Sequence, residues 1–169
     1  MFSHALVKRL DAEQIIDSMS KALSAPLDLE GFPAGTRLAQ VPEGRHHYRP
    51  LKTDLDRFSQ TFGKPPRLVA SDCERSNELT MPQVFTLLSG PIVQDLLTRP
   101  ENRVASWVKD EKSGATLVDT ITWTVLSRPP SAEESARLTA HLESGPDLRK
   151  ATEDVVWALL NSKEFLFRH

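Results

Sequence analysis

The sequence predicts an all-α fold, an irregular bundle of about six helices with a long proline-rich segment, residues 26–70, wrapped over it. Proline outnumbers glycine by 12 to 7 and there is a single tyrosine, whereas β proteins use glycine in turns and tyrosine in strands. Apolar residues recur at spacings of three and four on both sides of the segment. We expect one domain over 1–169, with a helical core made of helix 12–24 and residues 80–169.

The first helix is expected over residues 12–24. Asp11 is placed to cap it, and Gln14 follows three residues later, the spacing of a capping box. Ile16 and Met19 continue an apolar stripe at helical spacing.

The segment after this helix is rich in helix breakers. Ten of the 19 proline and glycine residues lie between 26 and 66, and proline both fixes φ and removes a hydrogen-bond donor. We expect an extended segment containing a short strand near 36–41 and a short helix around 52–61. A loop of this length is either functional or covers a core, and both interpretations remain open.

Helical patterns resume at Thr80, which can cap a helix that Gly90 and Pro91 either end or bend. After Pro100 a polar helix is expected to about residue 112.

The last third has the clearest pattern. An apolar stripe over 117–126 stops at a double proline, after which Ser131 and Glu134 have capping-box spacing. The last helix is expected over about 148–165 and is apolar on more than one stripe, which is typical of a central helix. Near its end, Asn161 is either a buried polar anchor or a terminal hydrogen-bonding residue.

Three tryptophans lie on three of the expected helices, namely Trp107, Trp123 and Trp157. They are an aromatic ligand platform or part of the core, and we expect the core.

Charge and cysteine content exclude several classes of function. The net charge is −2, so we expect no nucleic-acid partner. We expect no membrane span, because no run of about 18 apolar residues occurs, and no signal peptide, because residues 1–10 contain no apolar segment long enough for one. With Cys73 as the only cysteine, the chain cannot form an internal disulfide or attach a c-type haem. We expect no metal and no cofactor.

The densest polar cluster contains Asp72, Cys73, Glu74, Arg75 and Glu78. Such groups could act as acid, base or nucleophile, and a thiol near a helix N-terminus could act as a redox sensor. Alternatively they satisfy backbone donors and pair with one another where an irregular segment joins a helix. We favour the second interpretation because no histidine lies nearby in sequence to act as a base.

A second cluster contains Arg45, His46, His47 and Tyr48. Adjacent histidines point in different directions and make a poor metal chelate, so we expect no metal there. Contact with an anion or a partner is one interpretation, and a solvated loop is the other.

Six segments together resemble a known family. Two of them contain Cys73-Glu74-Arg75 and the run LLNSKEF, which begins at Leu159; the segments are residues 8–15, 31–37, 62–65, 72–78, 126–131 and 157–167. They resemble the C-terminal domain of unknown function of large planctomycete-type cell-surface proteins that also carry a cytochrome-c-like module. The chain departs from that pattern at Leu79, where the family has proline, and at Thr122-Trp123-Thr124, where it has Leu-Tyr-Leu.

The resemblance implies a piece of a longer exported protein at the cell envelope or periplasm, with neighbouring and possibly haem-bearing domains as partners. The leading hypothesis is a non-catalytic helical module that docks on those domains or on a protein partner. The alternative is a hydrolase acting on envelope polymer or carbohydrate, with Asp72, Glu74 or Glu78 as acid and base and His46 or His47 assisting.

Overall fold

The structure, a computed structural model, describes residues 8–29, 31–41, 53–62, 80–110 and 114–168. These residues form an all-α bundle, which confirms the predicted fold class. The helices are α1 (Ala12–Leu23), α2 (Asp54–Thr61), α3 (Met81–Ser89), α4 (Pro91–Thr98), α5 (Arg103–Lys109), α6 (Gly114–Leu126), α7 (Ala132–Ser144), α8 (Leu148–Leu160) and α9 (Lys163–Leu166).

The predicted helix starts are confirmed where local capping defines them. The Asp11 backbone N–H donates to Gln14 Oε1 at 3.1 Å at the start of α1. At the start of α7, the Ser131 N–H donates to Glu134 Oε2 at 2.8 Å, and the Glu134 N–H donates to Ser131 Oγ at 3.2 Å. Each box satisfies N-terminal donors that a helix leaves unpaired.

The core is one continuous cluster of buried apolar side chains. α1 contributes Ile15, Ile16 and Met19, which are completely buried. α8 packs against α4, α5, α6, α7 and α9, which confirms its predicted central position.

The last helix was predicted about five residues too long. Asn161 ends α8, and its Nδ2 donates to Trp157 O at 2.8 Å. Ser162 then starts α9 by accepting the Phe165 N–H at 3.2 Å. Asn161 is therefore the terminal hydrogen-bonding residue of the two interpretations.

Gly90 and Pro91 end one helix, α3, and begin another, α4, so they do not merely bend a continuous helix. Gly90 lies in extended backbone between the two helices, with φ −65° and ψ 138°. A Cβ added there would lie 2.1 Å from the Thr86 carbonyl oxygen, so only glycine fits this close approach. Pro91 then begins α4, where its missing N–H costs nothing.

A buried asparagine fixes the joint between α4 and α5. Asn102 donates to the carbonyl oxygens of Leu96 and Leu97 at 3.0 and 2.6 Å and accepts the Ala105 N–H at 3.0 Å. One side chain thus satisfies the end of one helix and the start of the next.

The described part of the proline-rich segment covers the core, as predicted. Leu27, Leu29, Leu38 and Val41 are buried against it.

The predicted strand near 36–41 is wrong, because Leu38–Gln40 form a turn of 3-10 helix. The Asp17 carboxylate on α1 accepts the N–H groups of Leu38 and Ala39 at 2.7 and 3.0 Å. Both N–H donors are therefore satisfied by a side chain and not by a neighbouring strand.

The prediction that the tryptophans belong to the core is right for Trp107 and wrong for Trp123. Trp107 is buried, Trp157 is half-buried and packs against the core, and Trp123 is 51% exposed. On α6 the buried stripe includes Thr122, whose hydroxyl donates to Val118 O at 2.8 Å. The buried residues of α6 are 117, 118, 121, 122 and 125, so Trp123 lies on the side of the helix opposite this stripe.

Two short strands, β1 (Lys8–Arg9) and β2 (Phe167–Arg168), pair antiparallel. The Leu10 N–H extends the contact by donating to Leu166 O at 2.9 Å. The pairing brings the first and last described segments together.

Candidate functional site

The polar clusters singled out in the sequence lie outside the described residues. They comprise Arg45, His46, His47, Tyr48, Asp72, Cys73, Glu74, Arg75 and Glu78. The hydrolase and sensor-thiol hypotheses depend on them and stay predictions.

Within the described residues, an exposed apolar face lies on α3. Met81, Phe85 and Leu88 are 65%, 60% and 39% exposed. They are four and three residues apart, so they lie on the same side of the helix. The surrounding stretch, residues 79–94, contains no charged residue. We call these three side chains the α3 face.

The opposite side of α3 holds a buried glutamine. Gln83 Nε2 donates to Thr61 O at 3.0 Å, and its Oε1 accepts from the Thr80 N–H at 3.1 Å and from Arg9 Nη1. The Arg9 guanidinium also lies 5.7 Å from the Phe62 ring centre, a cation–π distance. Partial burial lowers the pKa of Arg9. These contacts fix α3 with its polar residue inside and Phe85 outside.

A groove of about 620 Å³ opens beside the α3 face, between α4 and α8. At one end the Trp157 Nε1–H donates to Leu88 O at 3.1 Å. At the other end Arg149 Nη2 donates to Arg99 O at 2.9 Å. Leu88 shortly precedes α4 and Arg99 directly follows it, so α4 and α8 run in opposite directions. The groove follows α8 for about 12 Å, the rise of the helix over the eight steps from Arg149 to Trp157.

The apolar part of the groove consists of Leu88, Leu97 and Trp157. The Trp157 N–H is already used by the Leu88 carbonyl, so the indole offers an apolar ring to the groove.

The groove lining carries charges of both signs, three carboxylates and two cations. Glu153 accepts from Arg149 Nε at 2.8 Å, and Asp154 lies 3.8 Å from His141 Nε2. Asp147 accepts the N–H groups of Arg149 and Lys150 at 2.9 and 3.3 Å and so caps α8.

Lys150 differs from these groups. Its side chain is exposed on the groove lining and has no hydrogen bond or ion pair with any described residue.

A further charged cluster, centred on Arg128, has a structural role. Arg128 donates to both carboxylate oxygens of Glu164, at 2.6 and 2.7 Å, and to both of Glu134, each at 2.8 Å. Hydrogen bonds from Arg128, and then from the Ser131 backbone, lower the pKa of Glu134 to about 2. Glu134 is ionised at neutral pH and binds α7 to the end of α6, which makes it unsuitable as a general acid.

Comparison with known proteins identifies the family. A family model described as "PSD1: Protein of unknown function (DUF1553)" matches residues 1–142. The chain belongs to the PSD1 family. The PSD1 match takes in α1 to α6 and most of α7, whereas α8, which forms one wall of the groove, follows it. No curated protein and no solved structure matches the chain.

Two further findings concern the residues that the structure describes. Among them, no group of three or more His, Cys, Asp or Glu side chains is arranged to hold a metal ion. None of their helices combines the length and apolar character needed to cross a bilayer.

Met81, Phe85 and Lys150 were not among the predicted site residues, and Trp157 was predicted only as part of the core. One signal for the α3 face was present. Residues 84, 85, 87 and 88 are all apolar, so α3 has more apolar surface than one buried stripe requires.

Proposed function

We propose that the 169 residues form a single docking domain, which packs through the α3 face against a neighbouring domain of the same longer protein. The observation that carries this proposal is the exposure of Met81, Phe85 and Leu88 on a helix without charge. Apolar patches of this kind mark interaction sites, and the absence of charge is typical of permanent interfaces.

The position of the α3 face favours a partner on the same polypeptide. Arg9 of β1 contacts Gln83 on the buried side of α3, so a domain joined ahead of Lys8 would be tethered close to the helix that carries the face. Such a tether gives the two surfaces a high effective concentration. The resemblance to planctomycete-type proteins supports the same interpretation, with an exported parent that carries a cytochrome-c-like module at the cell envelope.

A binding titration tests the proposal. The 169-residue chain is titrated calorimetrically into the remainder of its parent protein, as wild type and as Phe85→Ser. We expect the wild type to bind and the variant to bind at least about tenfold more weakly, the loss expected for an aromatic anchor. Since Phe85 is exposed, the variant should stay folded.

Trp123→Ser is the matched control, because Trp123 is also an exposed aromatic residue but lies on α6. It should bind like the wild type. The proposal is wrong if the wild type does not bind, or if Phe85→Ser and Trp123→Ser bind equally well.

A further inference from the structure

The α3 helix turns its more apolar stripe away from the core. Residues 81, 84, 85 and 88 are all apolar and recur at helical spacing, the pattern that predicts a buried side. The buried residues of α3 are instead Gln83 and Leu87. Contacts with other elements, and not the local pattern, therefore determine which side of α3 faces outward.

The Gln83 amide fits its surroundings in one orientation only. Its Nε2 donates to Thr61 O at 3.0 Å, while its Oε1 accepts from the Thr80 N–H at 3.1 Å and from Arg9 Nη1. Exchange of the amide nitrogen and oxygen would place the NH₂ group against two donors. Gln83 is 6% exposed, so it depends on these partners, and loss of one of them destabilises its inner position.

Arg9 reaches Gln83 from the paired terminal strands. It lies opposite Phe167 in the β1–β2 register, and the next residue, Leu10, donates its N–H to Leu166 O at 2.9 Å. Each strand has only two residues, and short terminal elements open locally more readily than core helices. The state of this strand pair therefore decides whether Gln83 keeps its guanidinium partner.

The other end of α3 carries a reporter of its orientation. The Trp157 Nε1–H of α8 donates to Leu88 O at 3.1 Å. Beyond Leu88, Gly90 lies in extended backbone and separates α3 from α4. A rotation of α3 about its axis would carry the Leu88 carbonyl away from the indole, so the Trp157 N–H signal reads this rotation without a ligand.

We infer that Arg9 and Gln83 are positioning residues of the α3 face, and that pairing of β1 with β2 controls its presentation. While the strands are paired, Arg9 keeps Gln83 inside and the α3 face outside. When they separate, the apolar stripe competes for the inner side of α3, because burial of apolar surface is favourable. This inference rests on the proposed docking function and names the regulation of that surface.

The ¹⁵N spectrum of the whole chain tests the inference through the tryptophan indole signals, two of which are assigned with Trp157→Phe and Trp123→Phe. We expect Arg9→Met to shift the Trp157 signal, although the contact that it removes lies at the other end of α3. Methionine keeps an apolar stem of similar length. The signal of the buried Trp107 should stay in place, which shows that the bundle remains folded.

Three further variants test the route of the effect. Arg9→Lys keeps a donor and should keep the wild-type Trp157 signal. Lys8→Met removes an exposed cation from the same strand and should also leave that signal unchanged. In a Gln83→Met background, Arg9→Met should cause no further shift, because an apolar side chain on the inner side needs no guanidinium partner.

The parent titration gives the consequence for docking. Arg9→Met should bind about tenfold more weakly than the wild type, the factor expected for one lost hydrogen bond to a charged group. Arg9→Lys should bind like the wild type.

The inference is overturned if Arg9→Met leaves the Trp157 signal in place, if Lys8→Met shifts it equally, or if the effect of Arg9→Met persists in the Gln83→Met background. It is also overturned if Arg9→Met shifts the signal but binds the parent like the wild type. The spectra use this chain alone. Failure of the wild type to bind its parent would therefore reject the docking proposal and leave the measured coupling between Arg9 and α3 intact.

Discussion

At the residue scale, Arg128 joins two segments that are far apart in the sequence. It lies in segment 126–131, and one of its partners, Glu164, lies in segment 157–167. Four hydrogen bonds to two carboxylates hold the end of α6 against the starts of α7 and α9. Planar, bidentate pairing of this kind requires arginine and not lysine.

The capping role of Glu134 was predictable from its spacing to Ser131, but the pairing of Arg128 with Glu164 was not. The capping box depends on residues three apart, whereas the Arg128–Glu164 contact spans 36 positions. No local pattern encodes a contact of that range, so only the folded chain reveals it.

The lowered pKa of Glu134 predicts a specific acid sensitivity. Its pKa falls from the ordinary 4.5 to about 2 on folding. The ionised carboxylate therefore contributes stability above about pH 4.5, and that contribution is lost as the pH falls towards 2. In urea unfolding, we expect the stability difference between wild type and Glu134→Gln to be largest near neutral pH and to close across this range.

Glu133→Gln is the control, because Glu133 is an exposed neighbour on α7 whose contact with Arg137 is 3.7 Å long. Its difference from wild type should be small at every pH. A gap between wild type and Glu134→Gln that stays constant from neutral pH to pH 2.5 would contradict the assignment.

At the element scale, the helices were predictable where caps and periodicity are local. The starts of α1, α3 and α7 follow from Asp11, Thr80 and Ser131, each with a glutamine or glutamate three residues later. The 36–41 segment was not predictable in this way. Its conformation depends on Asp17, which lies more than twenty positions earlier in the chain.

Removal of the Asp17 carboxylate tests that explanation. Asp17→Ala leaves the N–H groups of Leu38 and Ala39 without their acceptor. We expect a loss of about 1–2 kcal/mol in the free energy of unfolding, as for a lost cap. Hydrogen exchange at those two amides should accelerate more than exchange in α8.

Asp28→Ala is the matched control, since Asp28 is exposed and makes no hydrogen bond with any described residue. Equal exchange rates at Leu38 and Ala39 in Asp17→Ala and in wild type would show that the 3-10 turn is held by something else.

At the scale of the whole molecule, the bundle buries its apolar side chains in one cluster but leaves the α3 face outside. The fold class followed from composition and helical spacing, because both reflect the burial of one face of each helix. The outward position of Phe85 did not follow, because Gln83 occupies the inner side with its hydrogen bonds satisfied by distant residues.

The most direct test of the docking proposal is oxidative footprinting of Met81 in this chain alone and in the longer parent protein. Met81 is 65% exposed and its thioether is readily oxidised. Packing of the α3 face against a neighbouring domain predicts that Met81 oxidises several-fold more slowly in the parent, while Trp123 on α6 reacts at the same rate in both. Equal oxidation of Met81 in the two proteins would contradict the proposal.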